Sequence, residues 1–202
     1  MIDVNAVTGL HRETVRRWHE EPISNPYTGF LGLVCTQHEQ NFRLWHEEDK
    51  ARDPTADDAV IAQVKRAIDK LNQARNDYIE QLDDALIAML AEAGVAPRPD
   101  ATQNTETPGS VIDRLSILAL RIYHMEEQAN RPDADEAHRR KALAKLEILH
   151  EQHADLSRSL QELLDDIACG KKRLKVYRQF KMYNDPSLNP YLYRANKKSK
   201  AA

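Results

Sequence analysis

A chain of 202 residues is long enough for one substantial core, and 41% hydrophobic against 30% charged residues suits a soluble fold rich in exposed helix. Six glycines, few β-branched runs and an abundance of Ala, Leu, Glu, Gln, Lys and Arg favour helix over sheet, and no apolar run nears the roughly 20 residues of a membrane span. The net charge of −3 conceals an asymmetry: from Lys171 onward ten basic residues accompany one acid, Asp185, while the rest of the chain holds 19 basic and 31 acidic residues. MIDVNAVTGLHRETVRRWHEE has neither a basic start nor an apolar stretch, so no secretory signal is expected. The two cysteines, Cys35 and Cys169, make no metal spacing and no disulfide framework; reduced thiols in a cytoplasmic protein are the expectation.

A first helix over about 3–20 puts Val4, Val7, Val15 and Trp18 on one side, and EPISNPYTG breaks it. The second, about 30–52, contains NFRLWHEEDKAR. Its apolar stripe takes in Val34, His38, Phe42, Trp45, Asp49 and Arg52, with Asn41 alongside, so three ionisable residues are expected on a core-facing side. The helix stops at Asp53-Pro54, and Thr55 or Asp57 caps a long third helix over about 58–93, ended by Gly94. Its seam is Ile61, Val64, Ile68, Leu71, Arg75, Tyr78, Leu82, Ala85 and Met89, a heptad-like register with an arginine at a core position.

GVAPRPDATQNTET is a polar loop of functional or mobile length. Thr107 and Pro108 are N-cap and first residue of a fourth helix, PGSVIDRLSILALRIYHMEEQ, apolar almost all round and therefore expected at the centre. After the turn NRPDAD a fifth helix runs over about 136–169 to Gly170, with His153 interrupting a leucine seam of Leu146, Leu160 and Ile167 facing Ala142, Leu149, Leu156 and Leu163. KKRLKVYRQF reads as a short further helix and NDPSLNPYLYRANKKSKAA as extended. The fold expected is all-α, an antiparallel bundle of four to five long helices with a short C-terminal helix or extended tail. One domain spans 1–190 and a flexible basic tail 191–202.

NFRLWHEEDKAR, KRAIDKLNQARNDYIEQLD, TETPGSVIDRLSILALRIYHMEEQ and VYRQFKMYNDPSLNP, in this order, resemble the uncharacterised bacterial domain DUF4254, over about 38–190. The resemblance implies a single helical domain, often encoded among cell-envelope glycan genes, and hence a glycosyltransferase-type partner. It implies no reaction.

The residues themselves point to a polar network inside the bundle: His38, Asn41, Asp49 and Arg52 of the second helix, Asn72, Arg75 and Asn76 of the third, Asp113, Arg114 and His124 of the fourth, and His153. Arg121 shares the side of Asp113 and His124. Buried charge is costly unless paired. One reading is a pocket for an anionic or sugar-phosphate ligand held by Arg52, Arg75 and Arg114; the other is a set of bonds that fixes helix register. For His153 alone, and for Phe42, Trp45 and Tyr78, core packing is the expectation.

Metal chemistry has weaker signals. Glu147-x-x-His150 matches one half of a di-iron motif whose second copy is missing. His19-Glu20-Glu21 and His46-Glu47-Glu48-Asp49 are dense in ligand types, but neighbours diverge around a helix. Glu80-x-x-Asp83 and Glu162-x-x-Asp165 place paired carboxylates that suit Mg²⁺, and a metal-dependent phosphohydrolase or transferase using Asp49, His38 and Asp113 is the enzyme alternative. Ser110 and Ser116 lie near Asp113 and His124 without any nucleophile elbow, and no phosphate-cradling glycine loop exists.

The tail interleaves basic residues with Tyr177, Phe180, Tyr183, Tyr191 and Tyr193, a composition of nucleic-acid and anionic-membrane surfaces. Its Asn-Asp-Pro turn chemistry instead favours fold-back onto the acidic body as far as Pro190, with the aromatics docking, Arg178, Lys181 and Asn184 closing the pocket, and Lys197 to Lys200 as a free basic end. Oligomeric state stays open.

Overall fold

The apolar stripes form five long helices: α1 (Val4–Glu20), α2 (Gly29–Lys50), α3 (Asp58–Glu92), α4 (Pro108–Asn130) and α5 (Glu136–Ala168). A computed structural model describes residues 2–199, with side chains to 194. Four of the five starts have a capping side chain. Asp3, Asp57 and Asp135 accept from the backbone N–H of Asn5, Val60 and His138 at 2.9, 2.8 and 2.7 Å, and Thr107 caps α4 ahead of Pro108. Gly94 and Gly170, with φ of 68° and 74°, end α3 and α5 in the left-handed region.

α2 and α3 pack as one consecutive pair and α4 and α5 as another; α1 lies against α2, α4 and α5. With turns of a few residues inside each pair, this is an antiparallel all-α bundle. α4 touches all four other long helices, as its all-round apolarity requires. The core is built on Val7, Val15, Val34, Leu82, Ile112, Leu115, Leu120 and Leu160, each contributing about 1.5–3 kcal/mol relative to an exposed position. Among the described residues no helix is long and apolar enough to cross a membrane.

Gly109 fixes how closely α4 approaches α3. A methyl there would sit 2.6 Å from the Ile79 carbonyl oxygen and 2.9 Å from Asp83. The buried Asp83 carboxylate accepts from the Gly109 N–H at 2.7 Å, which satisfies a helix-start donor. Burial raises the Asp83 pKa against those bonds.

The segment after Gly170 departs from expectation. KKRLKVYRQF is not helical: β2 (Lys172–Arg173) pairs in parallel with β1 (Thr102–Gln103), while Arg98 N–H and Thr102 N–H donate to the carbonyls of Gly170 and Lys171. The α3–α4 loop supplies partners that local propensity cannot foresee, and extended backbone wins. A 3₁₀ turn, Met182–Asn184, follows, then α6 (Pro190–Ser199), where extended chain is expected from the composition. Asn189 is its unread signal: its side chain accepts from Tyr191 N–H at 3.0 Å, with Pro190 in the first helical position. Of the expected basic end, Lys200 lies outside the described residues, as do the side chains of Lys197 and Lys198.

Candidate functional site

Asp113, on the middle of α4, is the centre of the bundle's polar interior; its side chain is 4% exposed. Oδ1 accepts from Gln37 Nε2 at 2.7 Å, Asn41 Nδ2 at 2.9 Å and Arg75 Nε at 2.7 Å, and a second guanidinium nitrogen of Arg75 donates to Oδ2. This is a two-point Arg–carboxylate pair braced by two amides. One turn on, Ser116 Oγ accepts from Asn41 Nδ2 at 2.9 Å and shares a 2.7 Å bond with His38 Nδ1. Three helices are thus stitched together through one carboxylate and one hydroxyl.

Behind His38 lies His11 of α1, ring centroids 4.7 Å apart, and Trp18 stacks on His38 at 5.2 Å. Both histidines are fully buried. Burial pushes His38 down to about 3 and His11 well below the usual imidazole range.

His38, Asn41, Arg75 and Asp113 therefore meet, as their positions in the sequence suggest. Others do not join them. Burial along α2 ends at Phe42, so Asp49 and Arg52 of the expected core stripe are exposed near its C-terminal end, where Arg52 pairs with Glu48 at 2.7 Å. Arg114 points outward to Glu106 at 2.6 Å. Asn72 and Asn76 are half-buried on α3, and Asn72 meets the tail only through its carbonyl, which accepts from Lys181 Nζ at 3.2 Å. His153 is half-buried, its pKa lowered by burial and then by Arg12 and His150.

The tail does fold back, along α3, but by its cations. Arg178 bonds Glu80 and Asp84 at 2.8–3.0 Å, Gln179 N–H donates to Glu80, and Asn184 reaches Gln73. Tyr177, Phe180, Tyr183 and Tyr191 stay exposed, Phe180 by 84%. Arg178, Lys181 and Asn184 line none of the grooves around Asp113.

Beside the network a groove of about 300 Å³ opens between α2, α3 and α4. Asn41, Leu44, Ile117 and Leu120 form its floor; Trp45, Glu48, Asp49, Arg52, Arg75 and Arg121 contribute the rest of its lining. Arg75 has one side on Asp113 and, at 25% side-chain exposure, another toward this space. Arg121 is exposed without an ion pair among the described residues. A larger groove of about 480 Å³ on the other flank of Arg121, between α4 and α5, has no aromatic wall.

His124 turns away from Asp113. Its ring lies parallel to Trp45 at 4.8 Å, and Nδ1 bonds Glu127 Oε2 at 2.7 Å. There it meets His19 of α1 and His46 of α2: one ring nitrogen from each lies within 4.8 Å of the other two. Burial, then His19 and His124, lower the His46 pKa. Sequence reasoning passes over Gln37, weighs Ser116 only as a nucleophile rather than as a partner of His38 and Asn41, and misses the convergence of three histidines from separate helices.

No curated protein and no solved structure matches this chain. The family model described as "Protein of unknown function (DUF4254)" matches residues 31–176. That span holds Asp113 with all of its partners and the whole lining of the groove, and it stops short of most of VYRQFKMYNDPSLNP. Covering well over half of the sequence, the match shows that the chain belongs to the DUF4254 family.

Proposed function

We propose that the protein binds a sugar-phosphate or related anionic sugar ligand in the groove between α2, α3 and α4, and that the Asp113 centre behind it holds the three helices in register. The observation that carries this reading is the composition of one wall: Trp45, Arg121 and Arg75 beside Glu48 and Asp49 around about 300 Å³. Guanidinium groups suit phosphate by paired N–H donation. Carboxylates accept from sugar hydroxyls, and an indole face packs on a sugar ring. Equal numbers of arginines and acids, counting Asp113 behind the wall, fit a ligand with both phosphate and hydroxyls better than a bare polyanion.

The saturation of Asp113 supports the register role. Four donor contacts from three side chains occupy a carboxylate buried to 3% as a residue. A hydrolytic centre of Asp49, His38 and Asp113 gains no support, since His38 and Asp113 are closed within the bundle while Asp49 is at its surface. The resemblance to a family found among envelope-glycan genes agrees with a sugar-phosphate ligand or a glycan-assembly partner, inside a bacterial cell.

Calorimetric titration with inorganic pyrophosphate, a hexose 1-phosphate and a nucleotide sugar tests the reading. Saturable binding of a phosphorylated sugar is expected, weakened about 10- to 100-fold in Arg121→Ala, the range of one charged hydrogen bond. Arg121 is surface-exposed, so its unfolding free energy should stay within about 0.5 kcal/mol of wild type. Absence of binding to all three, or equal binding by Arg121→Ala and Trp45→Ala, would count against the groove.

A further inference from the structure

We propose that His19, His46 and His124 form a binding site for one Zn²⁺ ion, with three imidazole ligands and a fourth position open. This site shares no lining residue with the groove, which it adjoins where His124 stacks on Trp45, and it does not depend on the groove's ligand.

The tautomers follow from the partners. His19 Nδ1 lies 2.6 Å from the Val15 carbonyl oxygen, which can only accept, so Nδ1 carries the proton. His124 Nδ1 donates in the same way to the Glu127 carboxylate at 2.7 Å. In both rings the lone pair is left on Nε2, and both Nε2 atoms are buried without a hydrogen-bond partner. A buried nitrogen of this kind is costly, and two in one cluster call for a common acceptor of lone pairs. His46 supplies the third donor from α2.

The rings are also disposed as ligands rather than as a stack. His19 stands at 74° to His46 and 76° to His124, and His46 at 88° to His124, with centroids 5.1–5.9 Å apart. None of the three rings is stacked on another of the three, and one nitrogen from each faces the same small space. Tetrahedral zinc at about 2.0–2.1 Å from each nitrogen requires nitrogens about 3.3 Å apart. Ligation would require the present spread, up to 4.8 Å, to close by about 1.5 Å through side-chain rotation.

The surroundings match metal chemistry at two further levels. Ligating histidines ordinarily donate their other N–H to a carboxylate or carbonyl, which is what Glu127 and Val15 provide. Imidazole donors suit zinc and its d-block neighbours and disfavour Mg²⁺ and Ca²⁺. Tyr123 stacks on His19 at 4.2 Å, and Phe42 packs edge-on against His19 and His46, so an apolar wall limits water on one side. Three protein ligands with one position left over is the pattern of reactive zinc sites rather than of closed structural ones. The ion would also tie the C-terminal turn of α1 to α2 and α4.

The test uses the full chain, stripped with a chelator and titrated with Co²⁺ as a spectroscopic stand-in for zinc. One equivalent should bind saturably and give the visible d–d absorption of four-coordinate cobalt, and Zn²⁺ should displace it. Glu127→Gln, at an exposed carboxylate, should weaken binding about 10- to 100-fold while keeping the spectrum. His46→Ala should remove the band, and His138→Ala, at a surface histidine outside the cluster, should leave it unchanged. Failure of the wild-type chain to bind cobalt or zinc saturably would overturn the proposal. So would full affinity in a folded His46→Ala, and if that variant did not fold, unchanged affinity in Glu127→Gln would do the same.

Discussion

Arg75 and Asp113 form the most buried ion pair among the described residues. Replacing Arg75 by methionine keeps the apolar stem and leaves the buried Asp113 carboxyl group without its cation, with only Gln37 and Asn41 to hold it. A loss of about 3–5 kcal/mol in urea unfolding is expected. The double variant Arg75→Met, Asp113→Leu should lose less than the two singles combined, because it removes the stranded carboxyl group along with its partner. His11 and His38 add a pH dependence. Both have folded-state pKa values below the ordinary imidazole value, so the unfolded chain binds more protons than the folded one below about pH 6.5. Stability is therefore present in full above that value and falls as pH drops, for His38 toward about 3, by roughly 1.4 kcal/mol per pH unit for each group that titrates only in the unfolded chain. Unfolding free energies at pH 7.0 and 5.5 should differ by less in His38→Leu than in wild type. At this scale the sequence showed four of the central residues, since a polar residue on an apolar stripe is visible one helix at a time. Gln37 escaped because an amide on a helix reads as surface. The convergence of His19, His46 and His124, each named singly, escaped because nothing within one helix orders it against another.

Elements were legible where side-chain periodicity and capping chemistry agree. The caps of α3 and α4 and the proline turns and glycines that end the long helices were readable, and α4 is central because apolar residues take up most of its circumference. Where a segment's backbone partners come from elsewhere, local signals misled: KKRLKVYRQF has helical composition, yet the loop before α4 captures it as extended chain. α2 shows the reverse limit, a periodicity that continues past the helices able to bury it. Gly109→Ala tests the tightest element contact. The added methyl must displace the backbone at Ile79 or the Asp83 carboxylate, and about 1–3 kcal/mol of destabilisation is expected from overpacking. Thermal unfolding should show it as a lowered midpoint with an unchanged circular dichroism spectrum. Asp83 gives the same contact a pH signature: its raised folded-state pKa means that its contribution is fully present below the ordinary carboxylate range and is lost as pH rises through the folded value.

Across the whole molecule the charge asymmetry has a local outcome. In the segment after Gly170, Arg178 sits between Glu80 and Asp84 on α3 and Lys171 pairs with Asp166 on α5, while the aromatics expected to dock are exposed. Exposed ion pairs are screened by salt, so amide exchange at Gln179, whose N–H donates to Glu80, should accelerate between low and high ionic strength, whereas exchange within α4 should not. The central separation, a closed lock at Asp113 beside an open ligand groove, is tested most directly by following the two indole N–H resonances during titration with a hexose 1-phosphate, with chelator present. Trp45 lines the groove, and Trp18 donates to the Ser24 carbonyl at 3.1 Å away from it. A saturable shift of Trp45 with Trp18 unmoved is the predicted result; no shift at Trp45, or equal shifts at both, would contradict it.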